Sequence, residues 1–258
     1  MGYNHDSFLG WGGVVESKIV LITGAARRVG AAIAVELAAR GCSLGLHYRH
    51  SKADAERLAA QIRERWSVPV HLFPGDLLDP AFPARLIEQV VGKLGGLDGL
   101  VNNASLFRPS PLAGLALEEW ARMEGIHIRA PLFLTQAAWP LLRERQGCVV
   151  NLTDIQAEIP LSGHLAYTVS KAGLLALSKA LAKEMGPEVR VNSVSPGVVL
   201  WAEGMDPPDG DRAGLLAKTA LKREGQPQDI AKAVAFLLLD APYVTGHNLV
   251  VDGGRMLY

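Results

Sequence analysis

The chain has 258 residues, of which 49% are hydrophobic and 20% are charged, so it can bury a sizeable core within one domain. Its 26 acidic and 26 basic residues balance, which leaves no positive surplus for nucleic acid, and no apolar run approaches the roughly 20 residues of a membrane span. We therefore expect no nucleic-acid partner, no membrane partner and no metal centre.

The first 16 residues are rich in glycine and aromatic side chains, and they lack the basic start and apolar stretch of a secretory signal. They predict a loose tail, residues 1–16, ahead of one domain that spans 17–258. Each of the two cysteines, Cys42 and Cys148, lies beside a predicted strand and is interpreted as a buried small apolar residue. Free thiols suit a reducing compartment, so the expected location is the cytoplasm.

From Lys18 onward, short apolar runs alternate with longer segments of helical periodicity. The runs that predict strands are, in chain order, KIVLITG, SLGLHYR, VPVHLFPGDL, LDGLVNNAS, GCVVNLTD, VRVNSVSPG and NLVVDGG. The segments that predict helices are RRVGAAIAVELAARG, KADAERLAAQIRERW, AFPARLIEQVVGKLGG, a long helix through Trp120 to Leu142, YTVSKAGLLALSKALAKEMG and QDIAKAVAFLLL. This alternation predicts one parallel sheet with helices on both faces, an α/β fold.

A stretch rich in proline, glycine and aspartate, WAEGMDPPDGDRAG at 201–214, interrupts the alternation. Loops of this length inside a compact domain often close over a ligand. We predict a substrate loop at about 200–225 rather than a boundary between two domains.

The segment TGAARRVG ends the first strand and opens the first helix. Gly24 allows a tight turn, and Gly30 lets the helix pack close to the strand. The helix N-terminus then offers free N–H groups and the positive end of its dipole to a pyrophosphate. The pattern indicates a dinucleotide site.

The end of the second strand reads HYRHS and carries no acid that would hold a free ribose 2′-hydroxyl. Arg49, His50 and Ser51 instead offer cationic and hydroxyl donors, which suit a 2′-phosphate, so the sequence favours NADPH over NADH. Asp76, after the third strand, is placed to accept a hydrogen bond from the adenine amine.

Tyr167 and Lys171 are four residues apart on a strongly helical segment, so they share a face. A lysine ammonium beside a phenol favours the phenolate, and we expect it to lower the pKa of Tyr167 from about 10 toward the working pH. Tyr167 would then serve as a general acid.

These features resemble the short-chain dehydrogenase/reductase family. The resemblance covers residues 18–258 and rests on TGAARRVG, NNAS, YTVSK, VNSVSPG and VDGG, in that order. It implies a Rossmann-like, doubly wound sheet of about seven strands, a homotetramer, and hydride transfer from a nicotinamide. It also implies that Asn102 supports the fourth strand and the cofactor, and that Lys171 holds the nicotinamide ribose. The further cofactor contacts that it implies are Gly24, Arg28, Gly30, His47, Tyr48, Leu77, Asn103, Ala104, Ser105, Thr153, Tyr167, Pro196, Gly197 and Val198.

Two positions depart from the usual pattern of that family. An asparagine on the long helix usually feeds a water relay to the lysine, and here His127 stands in its place, so the relay is either absent or modified. A serine usually precedes the tyrosine by thirteen residues and binds a substrate carbonyl, and here Asp154 stands in its place. A carboxylate repels a carbonyl oxygen, but it can accept from an amino–imine edge or pass a proton to a ring nitrogen. Asp154 therefore favours a nitrogen heterocycle as substrate.

Three further features resemble the pteridine reductases within the family. The paired bases Arg27 and Arg28 occupy the phosphate turn. The segment LHYRHS resembles the end of the second strand in that group, and NNASLFRPSPL resembles the end of its fourth strand and the loop that follows. The resemblance implies that Arg28 faces the pterin and a cofactor phosphate, and that Ser105 contacts both. It implies that Phe107 stacks on the pterin opposite the nicotinamide.

The implied reaction is the NADPH-dependent reduction of a dihydropterin or dihydrofolate to its tetrahydro form, with reduction of the fully oxidised pterin left open. Asp154, Tyr167 and Lys171 are the candidate catalytic residues, and Arg28, Ser105 and Phe107 complete the substrate site. A dihydromonapterin reductase is the nearest alternative, because it shares the acid before the tyrosine and the arginine pair. It differs in its preferred side chain on C6 of the pterin, which the substrate loop would contact. A 3-oxoacyl-carrier-protein reductase is disfavoured by Asp154, and a non-catalytic nucleotide sensor has no need of Tyr167 and Lys171.

Overall fold

The computed structural model describes residues 17–199, 213–214 and 216–258. The predicted tail, residues 1–16, lies outside the described residues, and so does the greater part of the predicted substrate loop, residues 200–212 and 215.

Seven parallel strands form one sheet, as the alternating pattern predicts. In spatial order they run β3-β2-β1-β4-β5-β6-β7. Their bounds are β1 Ile19–Ile22, β2 Ser43–Tyr48, β3 Val70–Pro74, β4 Gly99–Asn102, β5 Cys148–Leu152, β6 Arg190–Pro196 and β7 Asn248–Val251.

The central strands read as near-continuous apolar runs because helices cover both faces of the sheet. Every residue of β1, β2, β4 and β5 is buried. The strand order reverses beside β1, where Ile22 pairs with Leu46 of β2 and Val101 of β4. A crevice opens at the carboxyl ends of the strands where the order of an open α/β sheet reverses.

The described helices are α1 Arg28–Ala39, α2 Lys52–Trp66, α3 Phe82–Leu94, α4 Leu117–Glu124, α5 Ala130–Glu144, α6 Leu165–Met185 and α7 Pro227–Ala235. The predicted single helix through Trp120 to Leu142 is divided, because a π-helical turn, Gly125–Arg129, joins α4 to α5. A second π-helical turn, Phe236–Asp240, continues α7. Single 3₁₀ turns lie at Ile155–Ala157 and Arg255–Leu257.

Two apolar clusters, one on each face of the sheet, hold the layers together. Side chains of α1, α2 and α7 fill the first cluster, and side chains of α3, α5 and α6 fill the second. Cys42 and Cys148 are buried free thiols, as predicted, and burial raises the pKa of each to about 11. Among the described helices, none is both long enough and apolar enough to cross a bilayer.

Candidate active site

A cleft of about 780 Å³ lies at the carboxyl ends of the strands, and the predicted catalytic, cofactor and substrate residues line it, with the exception of Asn102. Asn102 is buried and donates from its side chain to the Asn151 side-chain oxygen at 2.8 Å. The volume of the cleft is within the range of small-molecule and cofactor sites. The structure therefore brings together, in one cleft, Gly24, Arg28, Gly30, His47, Tyr48, Arg49, His50, Ser51, Asp76, Leu77, Asn103, Ala104, Ser105, Phe107, Thr153, Asp154, Tyr167, Lys171, Pro196, Gly197 and Val198.

The turn between β1 and α1 requires glycine at both predicted positions. Gly24 has a φ of +62°, and a Cβ there would lie 2.9 Å from the Ala104 Cα. A Cβ on Gly30 would lie 2.3 Å from the Gly24 carbonyl oxygen. The Asn103 side-chain amide donates to the carbonyl oxygens of Thr23 and Gly24, at 2.8 and 3.1 Å, and so fixes the turn from the end of β4.

The N-terminus of α1 points its first N–H groups at the cleft without a side-chain cap. Arg27 occupies the N-cap position in an extended conformation and makes no capping hydrogen bond. Arg28 begins the helix with a φ of +55°, a left-handed conformation that is unfavourable for a side chain with a Cβ. Such conformations concentrate at ligand sites, and uncapped N–H groups beside paired cations fit the pyrophosphate of a dinucleotide.

His47 supports this turn from inside the protein. Its Nδ1 accepts from the Gly24 N–H at 3.3 Å, and its Nε2 lies 3.2 Å from the Gly75 carbonyl oxygen, so the ring proton is on Nε2. Burial lowers the pKa of His47 to about 4. The neutral ring therefore braces the backbone of β1 and β3 at the cleft, and both of its nitrogens are engaged by the protein itself.

The residues predicted for the adenosine end are paired with each other. Arg49 and Asp76 form an ion pair of 2.8 Å, and their side chains are 46% and 37% exposed. The other carboxylate oxygen of Asp76 accepts from the Leu78 N–H at 3.0 Å. Exposed pairs of this kind contribute about 0.2–1 kcal/mol, so a bound phosphate could draw Arg49 away at little cost.

Asp154 and Tyr167 are hydrogen-bonded partners at the centre of the cleft. The Tyr167 hydroxyl donates to Asp154 Oδ2 at 2.6 Å. Asp154 Oδ1 accepts from the Gln156 N–H at 2.9 Å and so caps the 3₁₀ turn that follows β5. Lys171, one turn along α6, donates from Nζ to the Leu152 carbonyl oxygen at 2.8 Å.

The expected lowering of the tyrosine pKa is wrong for this arrangement. Burial, followed by the charge of Asp154 and its hydrogen bond, raises the pKa of Tyr167 well above 10. Burial also raises the pKa of Asp154, although the Tyr167 hydrogen bond opposes that shift. Burial lowers the pKa of Lys171 to about 8, against the attraction of Asp154. The carboxyl group and the phenol thus hold a proton between them, and the phenol is kept in its donor form.

Phe107 forms one wall of the cleft beside the catalytic pair. It stacks on the His164 imidazole with ring centroids 4.6 Å apart and planes inclined by 19°. The Tyr167 ring stands edge-on to it, with centroids 4.8 Å apart. An aromatic wall next to a proton donor suits a flat ring substrate.

Comparison with known proteins identifies the family. A family model described as enoyl-(acyl carrier protein) reductase matches residues 24–255. The 3-oxoacyl-[acyl-carrier-protein] reductase FabG of Staphylococcus aureus is 33% identical, over 93% of this chain and 99% of its own length. The chain belongs to the short-chain dehydrogenase/reductase family. As a member of that family it is an oxidoreductase that binds a nicotinamide cofactor.

Solved structures of the short-chain dehydrogenase/reductase type have the same fold. A blue fluorescent protein from a metagenomic library, in complex with NADPH, has a TM-score of 0.86 and 35% identity, covering 92% of this chain and 97% of its own. A short-chain dehydrogenase/reductase from Serratia marcescens has a TM-score of 0.86 and 31% identity, with the same coverage. Both likenesses extend over nearly the whole chain.

Sequence reasoning missed several residues of the cleft. Most of them follow directly on the predicted strand ends, so extending each predicted strand by two residues would have found Ala26, Leu78, Leu106, Ile155, Gln156 and Val199. The other missed lining residues are Val29, Ile126, Leu152 and Leu161. Arg27, which the sequence analysis places in the phosphate turn, also lines the cleft. Within the described chain, no three His, Cys, Asp or Glu side chains are grouped as a metal site would require.

Proposed function

We propose that this oxidoreductase uses NADPH to reduce the ring of a dihydropterin or dihydrofolate to the tetrahydro form. The observation that carries the proposal is the hydrogen bond between Asp154 and Tyr167, at the position where carbonyl-reducing relatives have a serine. The proposal extends the established family membership to a substrate class.

The carboxylate decides between substrate classes by charge. A ketone oxygen placed within reach of Tyr167 would also lie close to the oxygens of Asp154, 2.6 Å from the phenol, and would be repelled. An amino–imine edge presents N–H groups, which a carboxylate accepts, and a ring nitrogen can take up a proton. Because burial raises its pKa, Asp154 is also better suited than an exposed aspartate to hold and transfer a proton.

The remaining residues would hold the ring and the cofactor in place. Bound NADPH supplies the hydride that a ring carbon receives. Phe107 lines the cleft with one face stacked on His164, so the heterocycle would lie against its other face. Arg28 would contribute its guanidinium at the phosphate end of the cleft, and the buried Lys171 ammonium would hold the ribose of the nicotinamide. The proton for the adjacent ring nitrogen comes from Tyr167 or from Asp154.

Arg49, His50 and Ser51 support the choice of NADPH. All three line the cleft beside the N-terminus of α2, where Ser51 makes no capping hydrogen bond and its hydroxyl is available to a ligand. A 2′-phosphate would gain a guanidinium partner and the positive end of the helix dipole.

A second candidate is the reduction of a 3-oxoacyl thioester. It is favoured by the 33% identity to the Staphylococcus aureus 3-oxoacyl-[acyl-carrier-protein] reductase, which extends over nearly the full length of both chains. Asp154 separates the two candidates, because a ketone substrate requires a neutral hydrogen-bond donor at that position.

The deciding experiment is a pair of NADPH-oxidation assays on one preparation, with dihydrobiopterin or dihydrofolate in one arm and an acetoacetyl thioester in the other. We expect kcat/KM for the pterin to exceed that for the thioester by at least a hundredfold, with a tetrahydropterin recovered by chromatography. A preference for the thioester would reject the proposal and favour the second candidate.

A further inference from the structure

His127 occupies a π-helical turn between α4 and α5 and is 1% exposed. Its Nε2 lies 2.8 Å from the Ser105 hydroxyl oxygen and 3.3 Å from the Leu106 backbone nitrogen. Its Nδ1 lies 2.8 Å from the Ser170 hydroxyl oxygen. Single-turn π-helices inside longer helices are frequent at functional sites, and this one holds an imidazole between the loop after β4 and the helix that carries Tyr167.

The hydrogen bonds define the tautomer of this ring. The Leu106 backbone N–H can only donate, so Nε2 carries no proton, and Nδ1 carries it. The Ser170 hydroxyl donates to the Tyr167 carbonyl oxygen at 2.7 Å, so it accepts from Nδ1–H. The Ser105 hydroxyl donates to Nε2. Burial, and then the charge of Lys171, lowers the pKa of His127 well below its usual value, which keeps the ring neutral.

We infer that His127 is a positioning residue that ties one wall of the cleft, residues Ala104–Arg108, to α6, the helix that carries Tyr167. One nitrogen holds the backbone of the wall through Leu106, and the other holds α6 through Ser170. Phe107 lies in that wall, 4.8 Å from the Tyr167 ring, and the His127 ring itself stands edge-on to Tyr167 at 5.5 Å. These two contacts of His127, to Leu106 and to Ser170, form a clamp. The clamp sets the spacing between Phe107 and the proton donor Tyr167.

The positioning role of His127 differs from that of a proton relay to Lys171. Both nitrogens of His127 are engaged, by Leu106 and Ser105 on one side and by Ser170 on the other. The Lys171 ammonium donates to the Leu152 carbonyl oxygen instead. The inference requires the oxidoreductase site, and it rests on the proposed function only for the choice of substrate.

Two substitutions separate the two halves of the clamp. In His127→Asn the side-chain amide lies near the position of Nδ1, so it can reach Ser170 but not Leu106. In His127→Gln the amide oxygen lies near the position of Nε2, so it can accept from the Leu106 N–H but does not reach Ser170. If His127 holds the wall through Leu106, His127→Gln should preserve function better than His127→Asn. If His127 serves a relay of the usual family type, His127→Asn should preserve function better, because asparagine is the usual residue there.

The first measurement is amide hydrogen exchange of Ala104–Arg108, which needs no substrate. We expect exchange at Leu106 to be at least tenfold faster in His127→Asn than in the wild-type protein, and within threefold of wild type in His127→Gln. The second is steady-state kinetics with whichever substrate the wild-type enzyme reduces. We expect KM for that substrate to rise about tenfold in His127→Asn, with KM for NADPH unchanged, and His127→Gln to rescue it.

The inference is overturned if His127→Asn leaves Leu106 protected, or if it preserves KM while His127→Gln does not. Should His127→Asn fold poorly, ¹⁵N spectra of histidine-labelled wild-type protein keep the test open. A protonated Nε2 on His127 in the wild type would also overturn the inference, because Nε2 could then not accept from the Leu106 N–H. Because the exchange experiment involves no pterin, failure of the proposed substrate leaves its result intact and the two outcomes are distinguishable.

Discussion

Replacement of Asp154 tests the link between the acid and the reaction most directly. Its hydrogen bond from the Tyr167 hydroxyl, at 2.6 Å, is charge-assisted, and such bonds contribute about 1.5–3 kcal/mol. Removing the carboxylate should lower the pKa of Tyr167, because the charge of Asp154 and its hydrogen bond both raise that pKa. Loss of a positioned proton donor lowers a rate by about 10²- to 10⁴-fold.

Two variants of Asp154 separate the loss of its charge from the change to the serine that is usual in the family. Asp154→Asn retains an oxygen for the Gln156 N–H and removes the charge, so the turn after β5 should remain intact. Asp154→Ser restores the residue of carbonyl-reducing relatives. We expect both to reduce dihydropterin at least a hundredfold more slowly than wild type with unchanged NADPH affinity, and we expect only Asp154→Ser to gain activity on an acetoacetyl thioester.

The assay combines NADPH oxidation with a spectroscopic titration of tyrosine in each variant. Cofactor binding, followed by nucleotide fluorescence, shows whether the dinucleotide half of the cleft is intact. The reasoning is refuted if either variant reduces pterin at a rate within threefold of wild type, or if the pKa of Tyr167 does not fall when the carboxylate is removed.

Three further predictions concern the cofactor, the lysine and the fold. Arg49→Ala should raise KM for NADPH about tenfold and leave KM for NADH unchanged, because only the first carries a 2′-phosphate. The kcat/KM for NADPH should decline above about pH 8, where Lys171 loses its proton, since this parameter reports groups of the free enzyme. The free energy of unfolding should fall by about 3 kcal/mol between about pH 6.5 and 4, because His47 binds a proton at pH 6.5 when unfolded but only at about 4 when folded.

Each of these has a matched control. Arg57→Ala removes an exposed arginine that pairs with Asp54 on α2 and should leave both cofactors unaffected; equal losses for NADPH and NADH in Arg49→Ala would count against the 2′-phosphate assignment. Lys171→Met should abolish the alkaline decline, and a decline that persists belongs to another group. His47→Asn keeps an acceptor for the Gly24 N–H and should flatten the acid dependence measured by urea unfolding; an unchanged slope would contradict the assignment.

The raised pKa of Tyr167 changes the account of catalysis that the Tyr-x-x-x-Lys pattern suggests. The pattern predicts a phenol made acidic by its lysine. In this cleft the Asp154 carboxylate lies 2.6 Å from the hydroxyl, whereas the Lys171 ammonium lies 5.8 Å from the centre of the Tyr167 ring. Tyr167 is therefore held as a proton donor, and its pKa changes with its burial or with its contact to Asp154. A substrate that accepts a hydrogen bond from Tyr167 and donates one to Asp154 would change that contact.

The sequence alone determined the layers of this protein and the edge at which its site lies. Buried parallel strands must be almost wholly apolar, and helices that cover them must carry an apolar stripe, so the alternation from Lys18 onward is legible along the chain. Once the strands are known to be parallel, their carboxyl ends meet at one edge. The predicted site residues follow those ends or, as with Tyr167 and Lys171, lie on the helix after β5, and all of them except Asn102 line the cleft.

Only the tertiary structure decided which polar group each of those residues contacts. His47 braces the turn at Gly24 instead of presenting a charge, and Arg49 pairs with Asp76. His127 binds Leu106 and Ser170, which no spacing in the sequence indicates. Hydrogen bonds and pKa shifts depend on distances of a few ångströms and on burial, and both are set by packing between segments far apart in the chain. Periodicity reports which face of an element is covered, but it carries no information about those distances.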